Sequence, residues 1–330
     1  MELRSLAVVV GVATATGLVA ASVASGFVDG APRSVPPSAP LVLAAPAALG
    51  APSQPAAPAG ATGAAARDDV EPEEPHTSGA VDNPYEETPP KLGYQRQVVP
   101  ARDGMLRLPG GRFVMGSASP RAPINERPAH PVSIAPFWID RTEVTVGAYR
   151  ACVQGGTCVR PARSSATCTF DSGEDELPVS CVHWRDADAY CRFVGKRLPS
   201  EREWEYAARG MYAIAFPWGG GGSSCSAAVT LINDQSGKSC AFHPAKVGAH
   251  ASGASPFGVL DLSGNLEEWT SDWYVESLGP GPAPRAGAAH VLRGGGWLSP
   301  PSQSRTTSRN WGSALEAGPN VGFRCARDPD

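Results

Sequence analysis

Residues 101–330 are predicted to form an α+β domain with little regular secondary structure, closed by disulfides. Three observations lead there. Short periodic segments of both helical and strand type occupy the chain as far as Gly210. Helical periodicity then disappears from 211 to 330, where Gly, Pro, Ser and Asn dominate. All eight cysteines and all eight tryptophans lie at or beyond Trp138, downstream of a leader that points to an oxidising compartment.

The elements follow in order. "GRFVMGS", residues 111–117, alternates apolar and polar and stops at Gly116, which predicts a strand. "PVSIAPFWIDRTEVT" carries a second strand around Val132 to Ile139. Thr145 then caps "VGAYRACVQ", whose Val146, Tyr149, Cys152 and Val153 share one helical face, and Gly155-Gly156 ends it. "PVSCVHW" predicts a third strand, leading into a short helix, "RDADAYCRFV", closed by Gly195. "LPSEREWEYAARG", residues 198–210, is the strongest local pattern. Ser200 and Glu203 form a capping box, in which the hydroxyl accepts a backbone N–H and the carboxylate reaches back to the cap. Trp204, Ala207 and Ala208 fall on one face, and Gly210 terminates the helix.

Upstream, residues 1–24 read as a signal peptide or an N-terminal membrane anchor. Ser22-Val23-Ala24 offers small residues for a signal peptidase, while the uncharged run 5–27 is also long enough to anchor in a bilayer. Residues 25–100 hold 14 prolines and 15 alanines without a cysteine or tryptophan, a composition that cannot offset the entropy of ordering and predicts a disordered linker. The folded domain is then expected outside the cytoplasm, secreted or anchored. A net charge of -4 argues against a nucleic-acid footprint.

Several phrases occur in one order: "LPGGRFVMGS", "ERPAHPVSIAPFWIDRTEVTVGAYRACV", "CVHWRDADAYCRFVGKRLPSEREWEYAARG", "FPWG", "SPFGVLDLSGNLEEWTSDWY", "VLRGGGW" and "NVGFRCARD". Together they resemble the formylglycine-generating enzyme family, also called the sulfatase-modifying factor domain, over about residues 105–328. The resemblance implies a variant of the C-type-lectin-like fold, often with bound calcium. In the enzymes of that family two cysteines bind copper(I) and use dioxygen to oxidise a sulfatase cysteine to formylglycine. The corresponding interval here, 293–322, contains no cysteine. Alignment on "GGGWLS" puts Ser299 at the first position and Ser304 near the second. Soft thiolates select copper(I) and hard hydroxyls do not, so no copper is expected.

The resemblance also maps a calcium loop onto "DLSGNLEEW", with carboxylates from Asp261 and Glu268 and carbonyls near Leu262, Gly264 and Leu266. The alternative is an ordinary turn in which Glu268 pairs with an arginine. Cys191 and Cys325 match a family disulfide. Cys225 and Cys240 flank one loop and are expected to pair. Cys152, Cys158, Cys168 and Cys181 leave three pairings open. The hydroxyl-rich stretch after Trp297 is expected to line a solvated loop, with Trp297 and Trp311 flanking a groove. A serine hydrolase would need a base beside its nucleophile, and the nearest histidine in sequence is His290. These features predict an exported, non-catalytic module for a peptide or carbohydrate ligand. The alternative is an enzyme of unidentified chemistry on the same fold, ahead of a formylglycine-generating oxidase.

Overall fold

A computed structural model describes residues 96–161, 166–220, 222–231 and 239–329. The leader, and the linker as far as residue 95, lie outside the described residues. Residues just before the expected boundary at 101 already pack on the domain. The Gln97 N–H donates to the Pro256 carbonyl at 2.6 Å, and Val99 packs on the core.

Ten short strands and three helices follow. The strands are β1 (Ala101–Arg102), β2 (Met105–Leu108), β3 (Gly111–Met115), β4 (His130–Ile134) and β5 (Phe137–Asp140). Helices α1 (Val146–Gln154), α2 (Trp184–Phe193) and α3 (Glu201–Arg209) come next, then β6 (Glu267–Trp273), β7 (His290–Arg293), β8 (Arg309–Gly312), β9 (Val321–Gly322) and β10 (Ala326–Arg327). One antiparallel sheet has the order β1-β2-β5-β10, β3 and β4 pair separately, and a mixed sheet has the order β8-β7-β6-β9. In the mixed sheet only β6 and β9 run parallel. This sparse α+β architecture is the one expected.

Local chemistry sets the helix ends. The Thr145 hydroxyl accepts the Ala148 N–H at 3.2 Å, and α3 carries the complete capping box of Ser200 and Glu203. Apolar faces of α1 and α2 meet around Tyr149, Tyr190 and Phe323, while α3 buries Trp204, Ala207 and Ala208 against β2, β5 and Phe257. Two expectations change. The strand from Val132 to Ile139 is two strands in different sheets, broken at Ala135-Pro136, where proline has no N–H for a ladder. "PVSCVHW" is not a strand. Pro178 makes one isolated bridge to Thr145, and Cys181 turns to φ 62°, which takes its backbone out of any strand.

All eight cysteines form disulfides: Cys152–Cys158, Cys168–Cys181, Cys191–Cys325 and Cys225–Cys240. The Cys191–Cys325 bridge, with Cα atoms 5.6 Å apart, ties α2 to the strand end beside β10. Its sequence separation is 134 residues, for which chain entropy gives about 5 kcal/mol. The Cys191→Ser/Cys325→Ser variant is expected to lose stability on that scale in denaturant unfolding. A loss under about 1 kcal/mol would show that the native contacts already hold these ends together.

His290 stacks between Trp184 and Trp273, with ring centroids at 3.7 Å and 3.9 Å. Burial pulls its pKa from 6.5 to about 4, although its Nδ1 faces the Asp272 carbonyl. Between pH 6.5 and 4 the unfolded chain takes up a proton that the folded chain refuses, so stability from this residue falls as the pH drops. Melting temperatures of wild type and His290→Phe should therefore converge or cross as the pH falls through that interval, with the wild type losing more. Parallel curves would contradict a buried neutral imidazole.

Candidate functional site

The stretch from Arg293 to Asn310 is where the family resemblance locates chemistry, and here it is mostly buried. Arg293 is fully buried and donates to the carbonyls of Thr306, Thr307 and Ser308 at 2.8, 3.0 and 2.7 Å and to the Glu205 carboxylate at 2.5 Å. Arg305 makes a bidentate pair with Glu126 at 2.6 and 2.8 Å, and the Thr307 hydroxyl donates to the same carboxylate. Arg309 pairs with Glu201. The Thr306 hydroxyl donates to the Ile214 carbonyl at 2.6 Å. The solvated loop expected from the hydroxyls is therefore absent. Ser299, Ser304, Thr306, Thr307 and Ser308 are buried, and of the stretch's hydroxyls only Ser302 faces solvent. Three arginines needing counter-charges and acceptors pull the backbone inward.

Ser299 Oγ accepts the Gly296 N–H at 3.0 Å and the Asn320 side-chain amide at 3.2 Å. Ser304 Oγ is buried without a hydrogen-bond partner. A Cβ on Gly296 would stand 2.3 Å from Asn320 Oδ1, so the backbone is pressed against this asparagine. Among the described residues no histidine serves these serines: His290 is held between its two tryptophans. With hydroxyls at both positions and every thiol in a disulfide, the donor set does not fit copper(I).

Trp297 and Trp311 do not flank one groove. Trp297 is buried with Val229 and Leu266 and donates to the Pro319 carbonyl, whereas Trp311 is 53% exposed.

The calcium loop is also occupied by protein groups. Glu268 is fully buried, holds Arg324 through both oxygens at 2.7 Å and accepts the Trp204 Nε1–H at 2.9 Å. Asp261 accepts the Gly248 N–H at 2.6 Å. Leu266 turns its N–H to Glu143, which also accepts from the Asn265 amide. Gly264 is required for a different reason: it has φ 78°, and a Cβ would lie 2.3 Å from the Val229 carbonyl oxygen. Burial raises the pKa of Glu143 well above the carboxylate range, and Asp261 and Glu268 push it the same way. Burial also raises the pKa of Asp261 and of Glu268, and Arg324 lowers both. A guanidinium thus takes both oxygens of Glu268. Among the described residues no three His, Cys, Asp or Glu side chains converge as a metal site. With its oxygens on Arg324 and the Trp204 N–H, Glu268 does not fit the role of a calcium ligand.

Sequence reasoning missed Glu143, Arg324 and Glu267. Glu267 and Glu268 are adjacent on β6, so alternation sends them to opposite faces. Glu268, Arg293 and Arg309 lie abreast on one face; Trp269, Leu292 and Asn310 lie abreast on the other. The second face floors an open cavity of about 470 Å³, walled by Leu315 to Gly318 and edged by Trp311. Glu267 lines it, 7% exposed, and accepts from the Asn310 amide at 3.2 Å. Burial raises its pKa to about 7 despite that hydrogen bond. The double Glu was the available signal, but only the strand register shows which carboxylate faces the cavity.

Arg324→Met would leave Glu268 buried and unpaired, and should cost about 3–5 kcal/mol in denaturant unfolding. Chelation with EDTA should leave the melting temperature of the wild type unchanged. A fall of several degrees on chelation would show a resident divalent ion at this loop or elsewhere.

Comparison with known proteins matches these features. The sulfatase-modifying factor enzyme 1-like domain family matches residues 93–329. A formylglycine-generating enzyme of Streptomyces coelicolor is 34% identical over 290 residues, covering 69% of this chain and 90% of that protein. A Mus musculus protein named inactive C-alpha-formylglycine-generating enzyme 2 is 32% identical over 276 residues, covering 67% and 85%. The solved structure of PvdO from Pseudomonas aeruginosa superposes with a TM-score of 0.58 at 28% identity, covering 68% of this chain and 94% of that one. The matched range spans the described domain, and the chain belongs to the sulfatase-modifying factor enzyme 1-like domain family.

Proposed function

We propose that this domain is a non-catalytic binding module of its family, working outside the cytoplasm and making no formylglycine. One observation carries the reading: hydroxyls stand where the family resemblance places the copper-binding thiols, and all eight cysteines are spent in disulfides. Relatives of both kinds, a named enzyme and a named inactive protein, are similar to this chain at 34% and 32% identity. Overall similarity therefore does not separate the two activities, and the hydroxyls at the two positions support the inactive reading. Fold alone carries no function.

The site we assign to binding is the cavity on the β6–β7–β8 face, because it combines an open apolar floor with converging polar groups. Four disulfides support a location in an oxidising compartment. No described helix is long and apolar enough to cross a membrane, and the candidate anchor, 5–27, lies outside the described residues. Secretion rests on the leader sequence.

The test is peptide oxidation. Protein supplied with copper(I) and oxygen is incubated with a cysteine-bearing sulfatase peptide, and the mass of the peptide is followed. The expected product is none above the metal-free blank. Catalytic conversion of cysteine to formylglycine would refute the reading.

A further inference from the structure

We propose that the cavity over Glu267 binds a primary ammonium group, as carried by a free alkylamine or a lysine side chain. The inference rests on the binding-module reading and names the ligand class for that same site.

The cavity is acidic and aromatic. Glu267 projects from its floor and Glu316 stands on its wall, with Trp311 at the edge. No lysine, arginine or histidine lines it. The basic side chains closest to it along the strands, Arg293 and Arg309, project from the other face of the sheet into ion pairs with Glu205 and Glu201. Glu316 Oε2 accepts only the Ser313 N–H at 3.0 Å.

Glu267 is the unusual member. Of the other glutamates buried to this degree, Glu126, Glu201, Glu205 and Glu268 each hold an arginine, and Glu143 receives a hydrogen bond at each oxygen. Glu267 has no cation among the described residues. Its Oε2 receives one amide hydrogen bond, and its Oε1 receives none. A buried carboxylate lacking a counter-charge is costly. It is set in the floor of an open cavity, where an incoming cation can supply that charge. A primary ammonium has three donors, matching the free oxygen of Glu267 and the carboxylate of Glu316, while its alkyl stem can lie on Trp269 and Leu292. The exposed ring of Trp311 adds a face that attracts cations. An anionic or carbohydrate ligand would leave the Glu267 charge unanswered.

The test is calorimetric titration of the full chain at pH 8 with n-butylammonium chloride and with Nα-acetyl-lysine methylamide, against 1-butanol and butyrate. Both ammonium probes are expected to bind, at least tenfold more tightly than the alcohol, with butyrate showing no binding. Binding of the lysine derivative alone would place the source in a peptide; binding of both equally would admit free amines. Glu267→Gln should weaken ammonium binding by tenfold or more, and Trp311→Ala, at an exposed position, by several-fold. Equal affinity for butanol and butylammonium, full affinity in Glu267→Gln, or no ammonium binding at all would each overturn the ligand class. None of these results would touch the absence of formylglycine formation, which peptide oxidation tests separately.

Discussion

The mixed sheet carries a row of buried charge, and the rest of the domain is arranged to answer it. Glu268, Arg293 and Arg309 stand side by side on one face of β6, β7 and β8. Each takes a counter-ion from another element: Glu268 from Arg324, Arg293 from Glu205, and Arg309 from Glu201. Leaving any one of them buried and alone would cost several kcal/mol. Helix α3 must therefore present Glu201 and Glu205 one turn apart at this sheet, and the chain at Arg324 must arrive on the same side. The capping box fixes where α3 starts, and the Cys191–Cys325 bridge fixes where the C-terminal segment lies. Alternation along the strands then gives the opposite face to apolar side chains, and the cavity forms there.

The same arrangement explains how the family fold persists with hydroxyls at positions 299 and 304. The segment 304–309 supplies ion pairs to Glu126 and Glu201 and a run of carbonyls to Arg293. The hydroxyls of Thr306, Thr307 and Ser308 close hydrogen bonds inside the domain. The loop before β6 is likewise tied by protein groups: Asp261 accepts the Gly248 N–H, Glu143 accepts from Asn265 and Leu266, and Arg324 holds Glu268. Polar groups satisfied in this way stabilise one backbone course. Glu267, a buried carboxylate with no ion pair and an open cavity beside it, lies on the opposite face of the sheet.

Much of the domain was legible from local patterns. The Ser200–Glu203 box, the Thr145 cap and the glycines after each helix act within a few residues, so the sequence displays them directly. Resemblance supplied the Cys191–Cys325 pair, since nothing local links positions 134 residues apart. Long-range effects were hidden. Hydroxyls at Ser299 and Thr306 looked solvated because the groups that engage them, Asn320 and the Ile214 carbonyl, come from distant segments. The run Val132 to Ile139 looked continuous because side-chain alternation does not show which sheet each half joins. "LEEW" showed two adjacent glutamates, but their separate fates depend on the strand register and on Arg324.

The central claim is that this chain keeps the family scaffold while positions 299 and 304 offer no soft donors. Titration of the disulfide-intact protein with copper(I), in competition with a chromophoric copper(I) chelator, tests it most directly. The chelator should retain all the copper at every protein concentration. Transfer of one copper per chain to the protein would contradict the claim.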